Sequence, residues 1–277
     1  MSILERTSWL DKSISVYIGE LVEYDMREGG FSIIKKEKLL PDSVIDEFEK
    51  MTKEERHKAV GNLAHSHGRK YKDVPKLLID RFRYYREQFG DLNDLVDEDI
   101  FYIRKDAICV KKYCYVTKLD DFIEFREKNV YGCYVRIEPQ YSDNNTQTKP
   151  QPIEFYWKPD GQVDVKGIRD PFLPPHKDGL LLVISRFMQY LYSMNYDGAL
   201  RYIVSVMDAY KKGLGDGKDV EHPERFYRRF DDTAMYRVWR DGAVMEVEEL
   251  AKEWIPMCDK AYNYRNIFVP LLNLVIK

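Results

Sequence analysis

Two aspartates stand where a carboxylate can do chemistry. Asp25 closes the apolar run Leu21-Val22-Glu23-Tyr24, and Asp106 sits between Ile103 and Ala107-Ile108. An acid at the end of a strand projects past the edge of its sheet, into whatever cleft lies there. Two such carboxylates brought together repel each other unless a divalent cation sits between them. Hard oxygen ligands favour Mg2+. A pair of such ions about 3.5–4 Å apart clamps the attacking and leaving oxygens of a phosphoryl transfer. Lysines and arginines from neighbouring helices would neutralise the phosphates. Taken singly, each aspartate is also an ordinary turn residue, because Asp favours turns.

The elements that must position them can be read from the pattern. Val16 to Tyr24 reads as a strand that ends on Asp25, and Phe31 to Lys38 as a short helix after the Gly29-Gly30 bend. Pro41-Asp42-Ser43 opens a second helix, capped by Asp42 or Ser43, with Val44, Ile45 and Phe48 on its apolar face. Thr52 and Glu55 form a capping box ahead of Arg56 to Ala64. Asp73-Val74-Pro75 starts a longer helix that stops at Gly90, with Leu77, Leu78, Phe82, Tyr85 and Phe89 at three- and four-residue spacing.

From Ile100 the texture changes. Ile100 to Ile103 and Ala107 to Val110 flank the polar tip Arg104-Lys105-Asp106 and predict a hairpin. Strands follow at Tyr131 to Ile137, Ile153 to Trp157 and Val163 to Val165, the last two joined by a Pro159-Asp160-Gly161 turn. Residues 138–152 read as an exposed loop. Leu180 to Tyr192 and Gly198 to Tyr210 read as two packed helices, 214–218 as a glycine-rich break and 246–262 as a last long helix before an apolar tail. This order is α+β with an antiparallel sheet, not the alternation of a doubly wound fold.

The 277 residues, 44% of them hydrophobic, can bury a sizeable core. The net charge of −3 hides a local split. From Lys53 to Arg86 ten lysines and arginines face four acids, and from Arg104 to Lys118 five face one. Such clusters hold polyanions, or form solvated helix faces. His65-Ser66-His67 is too closely spaced to put two metal ligands on one helix face.

Other chemistry is excluded. Cys109, Cys114, Cys133 and Cys258 include no C-x-x-C pair, and the first three alternate with apolar residues as buried thiols do. There is no phosphate-binding P-loop, H-E-x-x-H, G-x-S-x-G or EF-hand loop. No secretory signal or spanning segment is read, so a cytoplasmic protein without membrane contact is expected, and the acceptor triplet Asn144-Asn145-Thr146 is a chance match.

The order of these features resembles the palm of family B DNA polymerases. That family places an Asp at the end of a strand, then a helix, in the pattern D-x-x-S-L-Y-P-S-I; here the stretch is Asp25 to Ile33. Its K-x-x-x-N-S-x-Y-G fingers motif is similar to Lys58 to His65, which keeps the Lys and the Asn at that spacing. Its D-T-D-S hairpin matches Arg104 to Ile108 only at Asp106. K-K-x-Y, K-G-x-E and R-R-D resemble Lys128 to Tyr131, Lys166 to Ile168 and His176 to Asp178, in the same order.

The resemblance spans about Val16 to Tyr210. It implies a palm-like α+β domain over 1–178, with a short helical fingers insertion at about 40–90, and a helical thumb-like subdomain over 179–277. It implies Mg as cofactor, with Asp25 and Asp106 as catalytic metal ligands. Lys58, Asn62, Arg104 and Lys105 would meet the incoming nucleoside triphosphate. Lys128, Tyr131, Lys166 and Lys177 would hold a primer–template of DNA or RNA. The departures are equally specific. Gly30 stands where the family has the Tyr that screens out the 2′-hydroxyl, so ribonucleotides enter unless Phe31 fills the space. Arg104 replaces the first Asp of the hairpin motif, and no exonuclease domain fits ahead of Asp25.

Three functions follow as expectations. The first is a minimal DNA polymerase or primase-like nucleotidyltransferase of phage or mobile-element type, working by two metals. The second is a catalytically inactive palm-like protein that binds nucleic acid or a protein partner, as a replication accessory or anti-defence factor. The third is a partner-binding protein that uses tyrosines, Trp157, Trp239 and Trp254, or the aromatic–basic patch Arg225 to Phe230.

Overall fold

The protein is described by a computed structural model over residues 2–138, 152–167, 177–214 and 264–276. Of these, 177–180, 207–214 and 264–269 are described by their backbone alone. Residues 139–151 of the loop expected over 138–152, the helix at 246–262, Trp239, Trp254, Cys258 and the Arg225–Phe230 patch lie outside the described residues.

The protein is α+β, with a seven-stranded antiparallel sheet. Its strands are β1 (Ser8–Leu10), β2 (Val16–Met26), β3 (Ile100–Arg104), β4 (Ala107–Val110), β5 (Phe125–Ile137), β6 (Ile153–Trp157) and β7 (Val163–Lys166), in the order β1-β3-β4-β2-β5-β6-β7. Eight α-helices occur among the described residues: α1 (Gly29–Glu37), α2 (Asp42–Glu49), α3 (Lys53–Gly61), α4 (Leu63–Ser66), α5 (Val74–Leu92), α6 (Lys177–Tyr192), α7 (Tyr196–Leu214) and α8 (Tyr264–Ile276). Helices α2 to α5 follow one another over residues 42–92.

The chain forms two compact units, residues 1–12 with 20–130 and residues 13–19 with 131–277. The domain boundary expected at 178/179 falls inside the second. The first core gathers Val22 and Tyr24 of β2, Ile33 of α1, Phe48 of α2, Phe89 of α5, Ile103, Ile108 and Phe125. The second gathers Cys133, Val135 and Phe155 from its strands with Phe187, Met188, Ile203 and Leu271 from its helices. Burial pushes the Cys133 thiol up to about 12 and the Cys114 thiol up to about 11, so both stay neutral and unreactive in these cores.

Several local expectations are corrected. Strand β2 continues through Asp25 to Met26, because Met26 N–H donates to the Asp106 carbonyl at 3.2 Å and extends the ladder one residue further. Strand β5 begins at Phe125, six residues before Tyr131. Helix α2 is entered from Pro41; Asp42 is already its first residue and no side chain caps it. Helix α5 runs past Gly90 to Leu92 and buries Val74, Leu78, Tyr85, Arg86 and Phe89, whereas Leu77 is 36% exposed. The capping box of α3 is present: Glu55 N–H donates to Thr52 Oγ1 at 3.3 Å and Thr52 N–H donates to Glu55 Oε2 at 2.8 Å. That local device matters because α3 buries none of its own residues.

One glycine of the second unit is constrained twice over. Gly167 follows β7 with φ of +92°, and a Cβ there would lie 2.1 Å from the Pro152 carbonyl oxygen. Gly167→Ala is expected to lower unfolding free energy by about 2–4 kcal/mol, since backbone strain and a backbone clash act together. Equilibrium urea unfolding checks this; an unchanged midpoint would contradict it.

Candidate functional site

Asp25 and Asp106 are brought together by the pairing of β2 with β4. Asp25 lies opposite Ala107, and the Asp106 carbonyl accepts the hydrogen bond from Met26 beside it. Strands β3 and β4 pair Arg104 with Ala107, leaving Lys105-Asp106 as the turn. Lys105 takes φ of +50°, a left-handed conformation that costs a non-glycine residue about 1–2 kcal/mol.

Both aspartates line a cleft of about 750 Å³ in the first unit. Phe31, Val60, Leu78, Ile79 and Phe82 form its apolar wall, and Lys53, Arg56, His57 and Lys105 bring positive or protonatable groups to it. Arg56 is already committed: its guanidinium lies 2.9 Å from Glu28 Oε2 and stacks over Phe31 at 4.9 Å. Among the described residues Lys53 and Lys105 make no ion pair. They are the cations with charge to spare for an anionic ligand.

The Asp106 carboxyl is pushed above the ordinary aspartate range, first by burial and next by the Asp25 charge; Lys128 and Lys105 oppose the shift. A raised carboxyl favours the neutral form in the folded state. Its contribution to stability is present below the ordinary Asp range and is lost as pH rises through the raised value. Asp106→Asn, neutral at every pH, is therefore expected to melt higher than the wild type at pH 7 in chelator. The gap should close towards about pH 4, where ordinary aspartates protonate. A lower melting temperature for the variant at pH 7 would contradict the shift.

The two carboxylates fit a divalent cation as donors: both are hard oxygen groups, and their repulsion is what a cation would relieve. No cluster of three or more His, Cys, Asp or Glu that could hold a metal occurs among the described residues. Mg2+ held by one or two carboxylates takes its other oxygens from water and phosphate.

The other expected site residues are distributed differently. Lys128 lies at the carboxylate pair, its Nζ 3.7 Å from Asp25 Oδ2. Lys58 and Asn62 are exposed and do not line the cleft; Lys58 pairs with Glu54 one turn back at 2.8 Å. The Arg104 guanidinium lies over the Tyr102 ring at 4.5 Å. Tyr131 and Lys166 belong to the second unit. There the Tyr131 hydroxyl donates to Asp164 Oδ2 at 2.9 Å, Lys158 pairs with the same carboxylate at 3.2 Å, and Lys166 lies 4.9 Å from the centre of the Tyr156 ring. Lys177 opens α6, and its side chain is outside the described residues.

Lys53, Arg56 and His57 fall in the basic segment that the sequence marks from Lys53 to Arg86, but nothing in the sequence places them beside the aspartates or pairs Arg56 with Glu28. Helix α3 buries none of its residues fully, although Ala59 and Val60 pack against the first core.

The fold and the cleft define an α+β protein with a paired-carboxylate site rimmed by lysines. No helix of the described residues is long and apolar enough to cross a membrane. The chain belongs to the bacteriophage PBS1 gene 130 protein family, whose profile matches residues 1–215, and is thus a phage protein. No curated protein matches it.

Proposed function

We propose that the protein is a Mg2+-dependent nucleotidyltransferase of minimal, polymerase- or primase-like type, acting on primer–template DNA or RNA in the host cytoplasm. The observation that carries this reading is the meeting of Asp25, on β2, and Asp106, in the turn between β3 and β4, inside one cleft, with the uncommitted cations Lys53 and Lys105 at its sides. Bound Mg2+ would supply charge neutralisation and an activated primer hydroxyl. The chain's own part is to hold the two carboxylates side by side and to offer Lys53 and Lys105 to the triphosphate. The apolar wall of Phe31, Val60 and Leu78 would take the base or sugar and exclude water. Primer extension by the purified protein, with labelled primer–template and either dNTPs or NTPs, tests the reading. Product that requires Mg2+ supports it, and no product with either nucleotide set would end it.

A second reading, a palm-like protein that binds nucleic acid or a partner without catalysis, has an observation of its own. Lys128 pairs with Asp25, and an acid already neutralised by a lysine has less need of a metal. Salt-dependent nucleic-acid binding without turnover is the outcome that would select it.

A further inference from the structure

The chain leaves the cleft wall at Gly61, the last residue of α3, and returns to it at Pro75, in the first turn of α5. The segment between them therefore sits on the rim of the cleft. It is anchored from beneath by Leu63 and Val74, both buried, and by Tyr71, which packs on the first core. His67 ties the end of α4 to α2: its ring stands edge-on to Phe48, and its Nε2 lies 3.4 Å from Glu47 Oε2.

What this segment turns outward is positive. Arg69 and Lys70 lie on a single 3-10 turn, Arg69–Tyr71, Lys72 closes that turn, and Lys76 lies in the first turn of α5. All four are exposed, and none makes an ion pair among the described residues. Lys70 lies over the Tyr71 ring at 4.9 Å, which holds its stem without neutralising it. Asp73 is the one acid in the sequence from Ser66 to Ile79. The flanking helices differ, because their cations are committed to neighbouring acids: Lys35 of α1 to Glu49, Lys58 of α3 to Glu54 and Arg81 of α5 to Glu37. Unpaired cations held this close repel one another, and a polyanion laid across them relieves the repulsion.

The positive row continues into the cleft. Lys53, His57 and Gly61 recur every four residues along the face of α3 that lines it. One phosphate needs one or two such groups, whereas a row of them fits a chain of phosphates. The rim cations come from a turn and a helix start, not from a helix laid along a groove, so they suit backbone contacts without base reading. The cleft, at about 750 Å³, has the volume of a site for one small molecule, roughly 300–1,000 Å³, so a strand that enters it is unpaired there. We infer that Arg69, Lys70, Lys72 and Lys76 form a docking rim for the phosphate backbone of single-stranded nucleic acid and lead that strand into the cleft. None of the four is among the strand-holding residues that the polymerase resemblance implies. The strand's destination rests on the nucleotidyl-transfer reading, but the contact itself does not.

The test measures binding of labelled oligo(dT) and oligo(U) to the full chain in chelator, so that neither metal nor turnover enters; the two oligomers separate DNA from RNA. Combining Arg69→Gln, Lys70→Gln, Lys72→Gln and Lys76→Gln should flatten the slope of log affinity against log salt by about 3, from four lost phosphate contacts on a single strand. The control combines Lys35→Gln, Arg83→Gln, Lys112→Gln and Lys118→Gln, which removes the same charge from positions already paired with acids. It should keep the wild-type slope to within about 1. Equal losses in the two combinations would mean net charge and not a site, and would overturn the inference. Wild-type protein that binds neither oligomer would also overturn it, as would binding to phosphatidylserine vesicles that neither oligomer displaces. A wild-type footprint needs no variant to fold: bound oligomer should shield Lys70, Lys72 and Lys76 from amine acylation and leave Lys118 reactive. An unshielded rim would overturn the inference whatever the variants do. Primer extension is a separate result. A shielded rim without product keeps the rim and ends the catalytic reading, and product without shielding does the reverse.

Discussion

Asp106→Asn is expected to bring Mg2+-dependent primer extension down to background, and Asp25→Asn to do the same. An amide cannot supply the anionic oxygen that a divalent cation would take from Asp106, and the cation would then face a single carboxylate. Losing one electrostatic partner of a transition state costs about 10²–10³-fold, and a lost metal ligand costs at least as much. The effect is separable from folding, because Asp106→Asn also removes the repulsion with Asp25 and should be the more stable protein at neutral pH. A stable but inactive variant is the signature. Lys58→Ala gives the contrast. That lysine is exposed, pairs with Glu54 and does not line the cleft, so its removal should leave extension within a few fold of wild type. If both asparagine variants extend primer as well as the wild type, the carboxylate pair is not the site. If Lys58→Ala alone abolishes extension, the triphosphate lies along the outer face of α3 instead.

The largest stability effect is expected from Phe89→Ala. Phe89 is fully buried on α5, stacked on Phe125 with ring centres 4.4 Å apart and tilted against Tyr24 at 5.4 Å. Truncating a buried Phe costs about 3–5 kcal/mol, from lost transfer free energy and from the cavity left behind. The surroundings have little room to collapse into that space. Tyr24 is fixed from both ends, because its hydroxyl accepts from the Cys114 N–H at 2.9 Å. Tyr24 also precedes Asp25, so the loss should loosen the strand that carries the carboxylate. Urea unfolding measures the first effect and amide exchange along β2 the second. A loss below about 1 kcal/mol would mean that α5 does not support the site through this stack.

The parts of the fold that could be read from the sequence are those whose cause is local. The hairpin bearing Asp106 was legible because two β-branched and aromatic runs enclose a charged tip. The capping box of α3 was legible because Thr52 and Glu55 stand three residues apart. The start of β5 was not, because Arg126-Glu127-Lys128-Asn129 is polar and exposed or half-buried; sheet pairing, not its own composition, makes it a strand. Leu77 and Arg86 show the same limit in α5. Periodicity alone places an apolar residue inside and a charged one outside, but three carbonyls from distant segments reverse the second assignment. In the candidate site, Asp25 was legible as an acid near a strand end and Asp106 as one at a hairpin tip. The pairing of Lys128 with Asp25, 103 positions apart in sequence, was not.

Strand β2 serves two cores in succession. Val16 and Ile18 pack on the second, while Val22, Tyr24 and Met26 belong to the first. The buried residues of the second core begin at Cys133. During synthesis, therefore, the first unit can close once Val130 has emerged, but Val16 and Ile18 wait uncovered until more than a hundred further residues have followed them out of the ribosome. A fragment beginning at Tyr131 would lack residues 13–19 of its own unit, and one ending at Val130 would carry them with nothing to cover them. The chain is thus committed to being made and kept whole, and neither half is a natural candidate for expression by itself.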